Sequence, residues 1–255
     1  MEDQVLNMEA DGMIPEGEYQ SVKVNGNATN SGFVCANTIE IKGSATLKET
    51  VEAASITIDG DLSLTGIIRT EELIIRGNAE ILGKIEAETI VIDGNCEIKD
   101  EVTAKTITIK GSAHIESVLT AEELKIELLL TGKDTIKASH MEVVGRIEFD
   151  GTIESEVFIA KAFHRGYVKT VKAGQIELMH PFFLMHPTSL FYRDIFTIDQ
   201  VECNRIYAES IGISSIKAED IELSKRCIVE DAEYLNSLTA TENCRILNAE
   251  KIEEL

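Results

Sequence analysis

Apolar residues in this chain come in pairs split by one residue, and one set of pairs returns every 17 positions. The set runs Val22/Val24, Ile39/Ile41, Ile56/Ile58, Leu73/Ile75, Ile90/Ile92, Ile107/Ile109, Leu124/Ile126 and Met141/Val143, with Phe158/Ala160 in the same register. Alternation with a period of two describes a strand with one buried face, and the β-branched residues suit it. Two positions after each pair stands a glycine, at 26, 43, 60, 77, 94, 111 and 145; Leu128 occupies the lattice point that lacks one. The spacing predicts a repeat architecture.

Two more strands complete each period. Just after the glycine come Ala45/Leu47, Leu62/Leu64, Ala79/Ile81, Cys96/Ile98, Ala113/Ile115 and Ile147/Phe149. Ahead of the next lattice pair come Val34/Ala36, Val51/Ala53, Ile85/Ala87, Val102/Ala104, Leu119/Ala121 and Ile136/Ala138. Three short strands with three polar corners predict a triangular coil, and stacked coils pair corresponding strands in parallel. The expected fold is all-β, a single-stranded parallel β-helix rod with coils of about 17 residues. Residues between the buried pairs, such as Glu40, Thr57, Arg76, Asp93 and Lys110, place the charge on the outer wall.

The register predicts four segments. Residues 1–18 read as a short acidic tail and residues 19–160 as the regular helix. Residues 161–200 read as irregular, aromatic-rich coils or an insertion, with Ile176/Leu178 followed by Phe196/Ile198 as the next stacked pair. Residues 201–255 resume the coil with apolar pairs every five positions, as in Ile206/Ala208, Ile211/Ile213, Ile216/Ala218 and Ile221/Leu223. Most of the aromatic residues and His140, His164, His180 and His186 fall in or beside the irregular segment. Its Phe182, Phe183, Phe191 and Tyr192 are candidates for a partner-binding patch, because exposed aromatic clusters mark interaction sites.

Charge narrows the function. A net charge of -21 opposes nucleic-acid binding, which needs cations to neutralise phosphates, and opposes attraction to anionic lipid. Cys35, Cys96, Cys203, Cys227 and Cys244 form no CxxC pair and read as reduced thiols. The first residues lack a signal peptide's order of basic then apolar residues, and no apolar run is long enough for a membrane span. The expected location is the cytoplasm, peripheral to the inner membrane at most. GxGxxG, P-loop, GxSxG and HExxH motifs are absent. No catalytic, cofactor-binding or metal-binding residues are assigned, and the chain does not read as an enzyme.

The strings VKVNG, IEIKG, ITIDG, IVIDG and ITIKG, with GEY just before the first of them, resemble the bactofilin family of bacterial polymer-forming cytoskeletal proteins. The resemblance covers about residues 17–160. It implies a right-handed β-helix that assembles end to end without nucleotide, on itself or a related bactofilin, into filaments that position other proteins. Independently of it, an uncapped β-helix exposes unpaired backbone and an open apolar core at each end. The candidate polymer interfaces are Val22, Val24 and Val34 at one end and Leu247, Ala249 and Ile252 at the other, with Asn30 as a partial cap. The alternative is a hexapeptide-type β-helix acyltransferase with His114 as its candidate base; its coils run in strict sixes, which the 17-residue period does not match.

Overall fold

A computed structural model describes residues 4–162, 166–179, 196–241 and 243–254, which are all strand, turn and corner with no helix among them. The chain divides into two compact units, Met1–Lys125 and Ile126–Leu255. Each is a parallel β-solenoid.

In unit one the coils alternate a long and a short strand. Val5–Met8 (β1) and Gly12–Ile14 (β2) form the first coil, and Gly17–Val24 (β3) and Ala28–Asn30 (β4) the second. The pattern repeats through Val34–Ile41 (β5), Ala45–Leu47 (β6), Val51–Ile58 (β7), Leu62–Leu64 (β8), Ile68–Ile75 (β9), Ala79–Ile81 (β10), Ile85–Ile92 (β11), Cys96–Ile98 (β12) and Val102–Ile115 (β13). Each long strand from β3 to β11 makes two sides of the triangle, bent at a polar corner, and β13 runs on through the third. Pairing is parallel and in the expected register: Ile39 opposite Ile56, Ile56 opposite Leu73, Leu73 opposite Ile90, and Ile90 opposite Ile107. All five are buried, so each aliphatic layer covers the next. A fully buried side chain of this size stabilises by roughly 1.5–3 kcal/mol, and no coil collects that without a neighbour.

The corners stack as well. Asn27 N–H donates to Asp11 Oδ1 (2.7 Å), Ser44 N–H to Asn27 Oδ1 (2.9 Å) and Asn78 N–H to Asp61 Oδ1 (2.8 Å). The short polar residues Asn27 and Asp61, each following a glycine, and Asp11 in the first coil thus satisfy the backbone of the coil beyond, where the sheet ladder breaks.

Within the expected tail, residues 5–8 and 12–14 are paired strands. Leu6 lies opposite Val22, Met8 opposite Val24 and Ile14 opposite Asn30, so the acidic stretch folds as a coil of its own from Val5. Here the step between coils is 16 residues instead of 17, as in the bond from Asn27 to Asp11. That slip takes the first coil off the glycine lattice.

Strand β14 (Leu119–Ala162) begins in unit one and continues into unit two. Unit two goes on with Gly166–Met179 (β15), Phe196–Glu209 (β16), Ile211–Ser224 (β17), Ile228–Ala240 (β18) and Arg245–Lys251 (β19). Phe158 stacks on Ile176, Ile176 on Ile206, Ile206 on Ile221, and Ile221 on Leu238. Phe196 and Ile198 therefore do not follow Ile176 and Leu178 in the stack. They lie on a different side of the triangle, opposite Gly166 and Val168. In sequence, residues 180–195 separate β15 from β16 and lie outside the described residues. The following coil, with Phe196 opposite Ile211, is shorter because its corners are all two residues long, Asp199-Gln200, Asn204-Arg205 and Glu209-Ser210. Ser210 takes a left-handed φ of 57° to turn one of them. At the lattice point without glycine, Leu128 holds φ 113° with its side chain 65% exposed.

Candidate assembly faces

A parallel stack ends in strands that are hydrogen-bonded on one side only, and in a core layer with nothing above it. Two such edges lie among the described residues, and their chemistry differs.

At the first, in unit one, β1 and β2 are the outermost strands. Val22, Val24 and Val34, expected at this end, are fully buried one coil further in: Leu6 and Met8 cover the first two, and Gly17 lies opposite Val34. Asn30 is likewise not an end cap. Ile14 lies on it, and its side chain serves an inner corner. Its Oδ1 accepts from Lys48 N–H (2.8 Å) and Glu49 N–H (3.3 Å), while its Nδ2 donates to the carbonyls of Gly32 (3.1 Å) and Glu49 (3.2 Å). The corner at Glu49 has no glycine, and this buried amide ties it down instead.

The outermost layer at this edge is closed at Ile14 and half-closed at Leu6 and Met8. A Cβ on Gly12 would collide with Met8 Cε, so the tip of the Met8 side chain packs against the Gly12 backbone within this coil. Tyr19 is buried and donates its hydroxyl to the Pro15 carbonyl (3.1 Å). Ile14 is 1% exposed, although no strand lies beyond β2 among the described residues.

At the second edge, in unit two, β19 pairs with β18 from Ile228 opposite Arg245 to Tyr234 opposite Lys251. Beyond that, Ile252 N–H donates to the Tyr234 carbonyl (2.9 Å). Of the residues expected here, Leu247 is 52% exposed, Ala249 is exposed and Ile252 is half-buried. The structure adds Leu238 and Ile246, both half-buried, and exposed Ala240. These were missed because the apolar pattern marks which residues point inward and not which layer is last. The other expected patch, Phe182, Phe183, Phe191 and Tyr192, lies outside the described residues.

The outer wall of unit one is ionic. Arg69 bonds Glu52 (3.0 Å) and Glu86 (3.1 Å), one coil away on either side, and Lys84 bonds Glu86 (3.0 Å) and Glu101 (3.2 Å). Bonds from Lys84 and Arg69 hold the Glu86 carboxyl below its usual range, and bonds from Glu52 and Glu86 raise the Arg69 guanidinium. A carboxylate with a lowered folded pKa stabilises above its unfolded pKa, and that contribution goes as pH falls through the folded value. The ladder therefore weakens in acid. On an exposed wall it tunes register more than stability.

Burial pushes the Cys96 and Cys203 thiols up to about 12 and Cys227 up to about 11. Cys35 and Cys244 are half-buried. A thiol reagent at mildly alkaline pH is expected to modify Cys35 and Cys244 in the folded protein and the other three only after unfolding. Rapid native-state modification of Cys96, read by mass spectrometry, would contradict the inward placement of β12.

His114 stands on the outer wall, its Nε2 3.5 Å from Glu116 Oε1. Neither this placement nor the coil length supports an acyltransferase. Among the described residues, no group of three or more His, Cys, Asp or Glu side chains is placed to hold a metal ion. No helix among them is long and apolar enough to cross a membrane.

Residues 53–130 match the bactofilin family, described as polymer-forming and cytoskeletal. No curated protein and no solved structure matches the chain.

Proposed function

From the bactofilin domain at residues 53–130, we propose that this chain is a structural cytoskeletal subunit whose coils stack edge to edge on another copy, without nucleotide, and whose ionic walls position other proteins in the cytoplasm. The observation that carries the reading is the β19 edge. It offers unpaired backbone beside exposed Leu247 and Ala249 and half-buried Ile246 and Ile252, the combination that a second copy would satisfy.

The charge of -21 opposes association, and salt screens it over a Debye length of about 10 Å at 0.1 M. Sedimentation velocity without nucleotide is expected to show assembly increasing with salt. Leu247→Glu should weaken it about tenfold or more, by placing a charge where apolar contact forms. Sedimentation that stays monomeric from low to high salt, at high protein concentration, would overturn the reading.

A further inference from the structure

We propose that the first coil, Val5–Ile14, is a built-in stop that closes the unit-one edge, so that the intact chain associates through the β19 edge alone and pairs instead of polymerising. This rests on the edge-to-edge reading above and specifies how it is regulated.

The contrast between the two edges is the basis. At the β19 edge the last inward layers are open, with Ala240 and Ala249 exposed and Leu238 and Ile246 half-buried. At the β1/β2 edge the corresponding layer is more closed: none of its inward residues is exposed, Ile14 is 1% exposed, Leu6 and Met8 are half-buried, and the tip of Met8 packs against Gly12. The strands presented there are also poor templates, since β1 has four residues and β2 three. Very short edge strands are a known way of refusing a partner strand.

Charge points the same way. The first coil and the turn after it carry Glu9, Asp11 and Glu16, and the first cation in the chain is Lys23. Two such ends brought together would repel. The coil is nevertheless only lightly held. Leu6 and Met8 are half-buried, and its polar ties, Glu9 to Asn25 (2.9 Å) and Asp11 to Asn27 (3.2 Å), lie at the surface.

Beneath the coil lies a face of the kind that assembles. Val22 and Val24 on β3 and Ala28 on β4 are buried now and would be open once β1 and β2 lift away. A second copy of this chain presenting the same face fits them by self-complementarity. With one competent edge, a two-fold contact closes at a pair; with two, growth is open-ended.

The test compares three full-length forms by sedimentation velocity at screening salt: the unaltered chain, Leu6→Glu/Met8→Glu to undock the coil, and Asn7→Cys/Lys23→Cys, oxidised to lock β1 onto β3, where the two positions are register partners. Circular dichroism checks that each retains its β signal. The unaltered and locked chains are expected to stop at a pair. The undocked chain should grow several-fold larger, with a mean size that rises with concentration. If the unaltered or locked chain grows as far as the undocked one, or the folded undocked chain stays paired, the stop is wrong and edge-to-edge assembly still stands. If no form associates, the assembly reading fails and takes the stop with it.

Discussion

Ile90→Asp is expected to abolish cooperative folding of unit one. Ile90 is 1% exposed and sits in a column between Leu73 and Ile107. Nothing in that column can hydrate or pair a carboxylate, so the group either stays charged at prohibitive cost or takes up a proton and remains unpaired. Adding the lost burial of the isoleucine gives a destabilisation on the order of 5 kcal/mol or more, comparable with the whole stability of a typical domain. Ile90→Val should cost only about 1 kcal/mol. Val91→Asp, one residue along on the outer wall, should cost about 1 kcal/mol or less. Urea denaturation followed by circular dichroism reads all three. Equal effects at positions 90 and 91 would mean that the two residues do not face opposite ways.

Gly60→Ala is expected to be nearly as damaging, for a reason that is purely steric. A Cβ there would lie 2.5 Å from the Gly43 carbonyl oxygen and 2.6 Å from its carbon, in the corner of the adjacent coil. Both are backbone atoms, held by ladder bonds close by, from Asp59 N–H to the Ile41 carbonyl and from Ala45 N–H to the Asp61 carbonyl (both 2.8 Å). Neither coil can yield without breaking that ladder, and the cost is on the order of 3 kcal/mol. Gly17→Ala is the control. Its nearest neighbours are Tyr19 ring and hydroxyl atoms at 3.3–3.4 Å, a side chain that can shift, and the loss should stay below about 1 kcal/mol. Thermal melts in which Gly17→Ala loses as much as Gly60→Ala, or more, would contradict this cause.

Much of the fold was legible because burial and close approach leave marks on single residues. An inward slot in the column must be apolar, and a corner pressed against the next corner must be glycine or carry a short polar side chain. Ile39, Ile56 and Leu73, with Gly43, Gly60 and Gly77, carry both marks at one spacing. The first coil carries only the first mark. Its Leu6 and Met8 lie 16 residues before Val22 and Val24, and a stretch rich in carboxylates resembles a tail until the pairing is seen.

Unit two exposes a different limit. An apolar pair reports that a strand has a buried face, without reporting which side of the triangle the strand forms. Phe196/Ile198 and Ile176/Leu178 look equivalent, yet they belong to neighbouring sides. The ends of the stacks were legible to a similar degree. Leu247, Ala249 and Ile252 were named from the apolar pattern at the end of the stack, whereas Val22, Val24 and Val34 were misplaced by one coil for want of the first coil's register.

The 17-residue register of unit one underlies the wall ladder, the glycine corners and the order of the coils, and disulfide trapping tests it directly. Thr57 and Ile74 are outward register partners on β7 and β9. Strands in register lie about 4.8 Å apart, within the Cα separation that a disulfide spans. Thr57→Cys/Ile74→Cys should therefore cross-link rapidly under mild oxidation. Thr57→Cys with Arg76→Cys, two residues out of register at about 8 Å, should not. Equal trapping of the two pairs, or preferential trapping of the second, would contradict the stack.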